Sequence, residues 1–199
     1  MIAVRGAGSA IAKELRKMIP PDEDWREIDR NADMPMEADR YLFCAGVIRP
    51  KRIEAQDAAE IAESFFINAA YVIQDCERIL DKNHRARICV VGSESGFSWS
   101  FDGAYAASKA AVHRYVETKR LRSPDQQLVC VAPTIIRDAG MTLSRHDLEI
   151  VDLRALTHPK GRWLTAAEVA RTIKHVLYVD DGFISGTVVR MHGGAGALR

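Results

Sequence analysis

Apolar residues fall in short β-branched runs separated by stretches of helical spacing, and this alternation organises the chain. Met1–Val4 predicts a first strand. Gly6-Ala7-Gly8-Ser9-Ala10-Ile11-Ala12 then turns it into a helix reaching about Ile19, where Pro20-Pro21 stops it. Trp25-Arg-Glu-Ile-Asp29 reads as a second strand, and Tyr41-Leu-Phe-Cys-Ala-Gly46 as a third with its turn. Too few residues lie between these two for a helix and strand of normal length, so the sheet is shortened there. Ala58–Leu80 has the spacing of one long helix, with Ile61, Phe65, Phe66, Ala69, Val72, Ile73, Cys76 and Ile79 apolar and Asn68, a poor helix former, inside it. Ile88–Val91 is a buried strand closing on Gly92-Ser93, and a small-residue helix runs from about Gly103 to Leu121. Leu128–Ala132 is another strand, stopped by Pro133. Residues 134–162 show weak periodicity and mixed charge, predicting a mobile connection with a short helix from Ser144 to Leu156. A loop of that length suits a substrate lid. Thr165 and Glu168 form a capping box opening a helix to about Val179, and Gly186–Met191 is the last strand. Strands alternating with helices predict an α/β fold: a Rossmann-like, doubly wound parallel sheet in three α/β/α layers, one domain over residues 1–199.

Composition narrows the classes. Of 199 residues, 47% are hydrophobic and 28% charged, as in an ordinary globular domain. A net charge of +1 provides no global field for nucleic acid or an anionic membrane. No apolar run approaches a membrane span, and the amino terminus lacks a signal-peptide pattern. Cys44, Cys76, Cys89 and Cys130 sit in apolar segments without paired short spacing, which predicts buried reduced thiols and a cytoplasmic location. The six histidines are scattered and no Cys-x-x-Cys occurs, so no metal site is expected.

Candidate chemistry concentrates in three places. Tyr105 and Lys109 are one helical turn apart and share a helix face. A cation beside a phenol favours phenolate, and Ser93 at a strand end is placed to hold a substrate oxygen, so the three suggest proton transfer to or from an oxygen. The strand, glycine turn and helix start at Gly6, Gly8, Ser9, Ala10 and Ile11 form an anion site, either for a nucleotide pyrophosphate or merely as a tight βα turn. Asp29 lies roughly 20 residues beyond Gly6, where an acid meets ribose hydroxyls and favours NAD; Arg30 beside it would favour NADP. Gly92-Ser93-Glu94-Ser95-Gly96 is not a nucleophile elbow, because Glu94 stands where that motif places serine.

In this order along the chain, the motifs resemble the short-chain dehydrogenase/reductase family over nearly the whole length. Gly6–Ala12 is similar to its glycine-rich turn, Cys44-Ala45-Gly46 to the end of its Asn-Asn-Ala-Gly motif, and Asn68, Ser93, Tyr105 and Lys109 to its catalytic set. Val131-Ala-Pro133 and Ile184–Gly194 resemble its later strands. The resemblance implies an NAD(P)-dependent oxidoreductase interconverting a small-molecule alcohol and carbonyl. Tyr105 would be the general acid and base, and Lys109 would lower the tyrosine pKa and hold the nicotinamide ribose. Ser93 would polarise the substrate oxygen, and Asn68 would carry a proton relay through its main-chain kink and a water. Gly6, Gly8, Ser9, Ala10, Ile11, Asp29, Arg30, Ala45, Gly46 and Pro133, with Tyr105 and Lys109, would contact the cofactor, NAD preferred through Asp29 or else NADP. A homodimer or homotetramer is implied as well. Departures from the family pattern are the alanines at 10 and 12, Phe43-Cys44 in place of two asparagines, and Thr134 after Pro133. These and the shortened segment bear on cofactor affinity, and leave as the alternative a catalytically silent cofactor-binding or regulatory protein of the same fold. An epimerase or dehydratase of the superfamily adds a substrate domain for which this chain has no room. Met141, Leu143, Leu148, Ile150, Val151, Leu153 and Leu156 among Arg137, Arg145 and Arg154 make the lid amphipathic, and Trp99 and Phe101 are candidates for the pocket wall.

Overall fold

Six short strands, Ile2–Arg5 (β1), Trp25–Ile28 (β2), Arg40–Phe43 (β3), Arg87–Val91 (β4), Gln127–Pro133 (β5) and Thr187–Met191 (β6), form one sheet in a computed structural model of the protein. The structure describes residues 1–49, 51–98, 100–144 and 148–195; Trp99, Arg145 and the side chain of Ile150 lie outside the described residues. All pairings are parallel, in the order β2-β1-β3-β4-β5-β6. Parallel neighbours need crossover connections, and these place helices on both faces. Helices Ala10–Met18 (α1) and Ala166–Lys174 (α7) pack together on one side. Ala58–Phe65 (α2), Tyr71–Lys82 (α3) and Gly103–Thr118 (α4) lie together on the other.

The period of two along each strand divides the core accordingly. Val4, Leu42, Cys89 and Val131 pack with Ile11, Leu15, Val169 and Ile173. Ala3, Tyr41, Ile88 and Cys130 pack with Val72, Ile79, Val112 and Val116. Helices α1 and α7 begin where the sequence supplies a cap: Ser9 accepts from Ala12 N–H at 3.1 Å, and the Thr165–Glu168 capping box is closed in both directions.

The predicted continuous helix over 58–80 is interrupted by one π-helical turn, Phe66–Ala70. The extra residue of that turn rotates the apolar stripe, leaving Phe65 and Phe66 exposed while Asn68 is fully buried. Residues 29–39 hold neither helix nor strand, so β2 is a sheet edge. The guanidinium of Arg5, at the end of β1, holds this short segment. It donates to the carbonyls of Asp29 (2.5 Å), Arg30 (2.7 Å) and Ala32 (2.8 Å), and pairs at 3.0 Å with Asp75 on α3.

Within 134–162, Gly140–Leu143 (α5) and Leu148–Leu156 (α6) are helical; of the helix expected over Ser144–Leu156, residues 145–147 lie outside the described residues. Arg137 forks onto Asp152 at 2.6 and 3.0 Å, and the indole of Trp163 donates to the Val151 carbonyl at 2.7 Å. Among the described residues no helix is long and apolar enough to cross a membrane.

Candidate active site

The turns that follow β1, β3, β4 and β5 gather at the carboxyl edge of the sheet, where open α/β sheets place ligands. Gly6 sits at φ +90°, and a Cβ there would stand 2.4 Å from the backbone nitrogen of Ala45, so the two turns touch only because position 6 is glycine. A Cβ on Gly8 would meet nothing within 4 Å, leaving open space beside the first turn of α1. A cleft of roughly 290 Å³ opens there between Gly6–Gly8, Ala45 and β2. A glycine cradle at a helix amino terminus fits the pyrophosphate of a dinucleotide. Of the residues expected to serve it, Ser9 caps α1, while the side chain of Ile11 is buried in the core. Ala10 lines a separate groove with Lys13 and Trp25. Glu27 and Arg30 line the cleft. The exposed carboxylate of Asp29 instead accepts from the Asn31 N–H at 3.0 Å. Pro133 is buried at the end of β5, paired with Met191.

Tyr105 and Lys109 project from α4 into the edge of the sheet, 7% and 4% exposed. Asp102, which the spacing argument passes over, caps that helix. Its buried carboxylate accepts from Tyr105 N–H at 3.0 Å, Arg49 N–H at 2.7 Å and the Gln56 amide at 3.0 Å, tying the loop after β3 to the tyrosine. An acid three residues before Tyr105 is the signal that would have found it. The Lys109 ammonium donates to the Val91 carbonyl at 2.9 Å and lies 5.7 Å from the centre of the Tyr105 ring. Burial lowers the lysine to about 8, against a smaller opposing influence of the Cys130 and Cys44 thiols. Burial raises the phenol above its ordinary value, while a hydrogen bond with Ser93 pulls it the other way. The acidified phenol expected from sequence is thus reversed here: desolvation is the largest influence, and the lysine is engaged by a backbone carbonyl.

Ser93 lies two residues beyond β4 and caps the short turn Glu94–Gly96, its hydroxyl accepting from Ser95 N–H at 3.2 Å. Asn68 brackets Val47, accepting from its N–H and donating to its carbonyl, both at 2.9 Å, and donates to Ser64 at 3.2 Å. A Cβ on Gly46 would lie 3.0 Å from Asn68 Oδ1, 3.5 Å from the Met141 methyl and 3.8 Å from the Lys109 ammonium. Segment 134–162 therefore reaches the site through α5. Phe101 is exposed, with Arg52 5.8 Å over its ring. All four cysteines are free, and burial pushes the Cys44 and Cys130 thiols up to about 12. Among the described residues no group of three or more histidines, cysteines or acids is placed to hold a metal.

Comparison with known proteins agrees with this geometry. The sequence pattern of the family described as short chain dehydrogenase matches residues 37–148, more than half of the chain. The 3-oxoacyl-[acyl-carrier-protein] reductase MabA of Mycobacterium tuberculosis, and that of Mycobacterium bovis, are 31% identical over 166 residues, 81% of this chain. The match spans 62% of the length of those relatives. An oxidoreductase of the short chain dehydrogenase/reductase family from Burkholderia thailandensis superposes with a TM-score of 0.84 at 16% identity, over 98% of this chain and 92% of that one. A small-chain dehydrogenase in complex with NADPH superposes at 0.81 with 15% identity, over 98% and 97%. Both share the fold. By its sequence match and its parallel sheet, the chain belongs to the short-chain dehydrogenase family.

Proposed function

We propose that the protein is a nicotinamide-dependent oxidoreductase that interconverts a carbonyl and an alcohol with Tyr105 as its proton donor and acceptor. The carrying observation is the convergence of a glycine cradle, Ser93, the nearly buried Tyr105 and Lys109 at one edge of the sheet. Tyr105 gives its proton to the carbonyl oxygen in reduction and takes it back in oxidation. Ser93 holds the same oxygen. Asn68, by clamping both polar groups of Val47, fixes the loop that carries Ala45 and Gly46 beside Lys109. Gly6, Gly8, the capped start of α1 and Ala45–Gly46 would hold the dinucleotide, which supplies the hydride when bound. Sequence favours NAD through Asp29; Arg30 lining the cleft while Asp29 faces Asn31 supports NADP(H) as the tighter ligand.

Titration of the protein with NADPH and NADH, followed by nucleotide fluorescence, tests this first. The expected result is saturable binding with NADPH about tenfold tighter, and loss of that margin in Arg30→Ala. Tighter NADH returns selectivity to Asp29, and saturable binding of neither leaves a catalytically silent fold. The name of the mycobacterial relatives supports a 3-oxoacyl thioester as the first carbonyl to assay, with acetoacetyl-coenzyme A as the probe.

Lys109 gives the binding a pH dependence. Below about 8 it is charged and attracts the cofactor; above, it is neutral. Dissociation constants for NADPH are expected to rise with pH above about 8, by up to about tenfold per unit. In Lys109→Arg, whose charge persists, the rise should vanish. A flat wild-type profile from pH 7 to 9.5 would refute this role.

A further inference from the structure

Behind Ser93 the fold buries a histidine that the reaction above does not use. His113 lies one turn beyond Lys109 on α4 and is 3% exposed. Its Nε2 accepts the backbone N–H of Ser93 at 3.4 Å, so the neutral ring carries its proton on Nδ1. Nδ1 is buried and has no hydrogen-bond partner among the described residues. Two glycines make room for the ring. A Cβ on Gly92 would stand 2.5 Å from Nε2, and one on Gly96 would stand 2.5 Å from Cε1.

The ring is also held from the edge of the sheet. Phe97 stacks on it with centroids 4.5 Å apart and planes at 24°. Arg190, from β6, lies 4.3 Å over Phe97 and forks onto both carboxylate oxygens of Glu94, the neighbour of Ser93. Ser93, His113, Phe97, Arg190 and Glu94 thus close a ring of contacts around the turn after β4. Only a neutral imidazole can accept an N–H. Burial first, then the charges of Lys109 and Arg190, lower His113 to about 4, with Glu94 opposing, so the acceptor persists at neutral pH.

We propose that His113 is a positioning residue: by accepting the Ser93 N–H within this closed stack, it holds the Ser93 hydroxyl in register with the Tyr105 phenol. The inference rests on the Ser93–Tyr105 reading given above. Without the acceptor, a nearly buried N–H loses its partner and the turn shifts to find another. Displacements on the order of 1 Å reach up to about a hundredfold in rate.

His113→Leu fills the space without an acceptor, and His113→Gln returns an acceptor at similar reach; His113→Met replaces the leucine variant should that one fail to fold. With NADPH and acetoacetyl-coenzyme A, Leu is expected to lower kcat about tenfold while KM for NADPH stays within about twofold. Gln should restore most of the loss. The backbone amide resonance of Ser93, read by ¹⁵N–¹H NMR, should move in Leu and stay near wild type in Gln. Equal kcat in the two variants overturns the proposal, and so does a loss confined to KM. If wild type reduces no carbonyl, the reaction reading fails and the resonance decides alone: an unmoved Ser93 amide in Leu overturns the positioning role.

Discussion

Tyr105→Phe is expected to lower kcat/KM for carbonyl reduction about a thousandfold, within the range that a positioned proton donor supplies. NADPH affinity should stay within about twofold of wild type. The ring is 7% exposed and packed at the site, so phenylalanine keeps its shape and removes only the hydroxyl. Because burial holds the phenol above its ordinary value, it is protonated throughout the neutral range and ready to donate. In the oxidative direction the phenolate is needed, so that rate should climb with pH over the same range in wild type. Steady-state kinetics from pH 6 to 9 in both directions check both statements. Turnover of the phenylalanine variant within tenfold of wild type would sink the assignment of Tyr105 as proton donor.

Arg5→Met is expected to carry the largest stability effect. Arg5 and Asp75 form an ion pair whose side chains are 8% and 9% exposed, and the same guanidinium satisfies three carbonyls of the shortened segment. Removing one partner of a buried pair leaves the other charge uncompensated, at about 3–5 kcal/mol. Burial already raises the Asp75 carboxyl, with Arg5 the main opposing influence, so in Arg5→Met that carboxyl should protonate more readily still. The deficit should therefore shrink as pH falls and Asp75 becomes neutral. Arg5→Met combined with Asp75→Leu should regain part of it and no more, since the carbonyls of Asp29, Arg30 and Ala32 remain without their donor. Urea unfolding at pH 7 and pH 5 measures each of these. A single variant within about 1 kcal/mol of wild type would show that the segment is held by something else. Release of the segment also frees Arg30 from its place in the cleft, so NADPH binding is expected to weaken in any folded fraction.

Most of the secondary structure was legible because its causes are local. A β-branched run, a serine or threonine cap and a proline stop act within a few residues, so β1, α1, β4, β5 and α7 lie close to where the periodicity puts them. The i,i+4 spacing of Tyr105 and Lys109 likewise places both on one face of α4, and the glycines at 6 and 46 mark two turns in close approach. The short segment after β2 was readable from chain length, but not what replaces the missing wall.

What the sequence by itself determined about this protein is therefore the order of its elements, the alternation that makes a parallel sheet, and the helix face that Tyr105 and Lys109 share. Tertiary structure decided the rest, because it depends on partners far apart in the chain. The π turn that buries Asn68 and exposes Phe66 is matched to Val47 on another loop. Arg5 finds its acceptors 24 to 27 residues away and its counter-ion on α3. His113 meets Ser93 only because the turn after β4 packs against α4. The acidity of Tyr105 and Lys109 was decided in the same way: spacing sets their neighbourhood, and burial by the surrounding elements sets the direction in which each one moves.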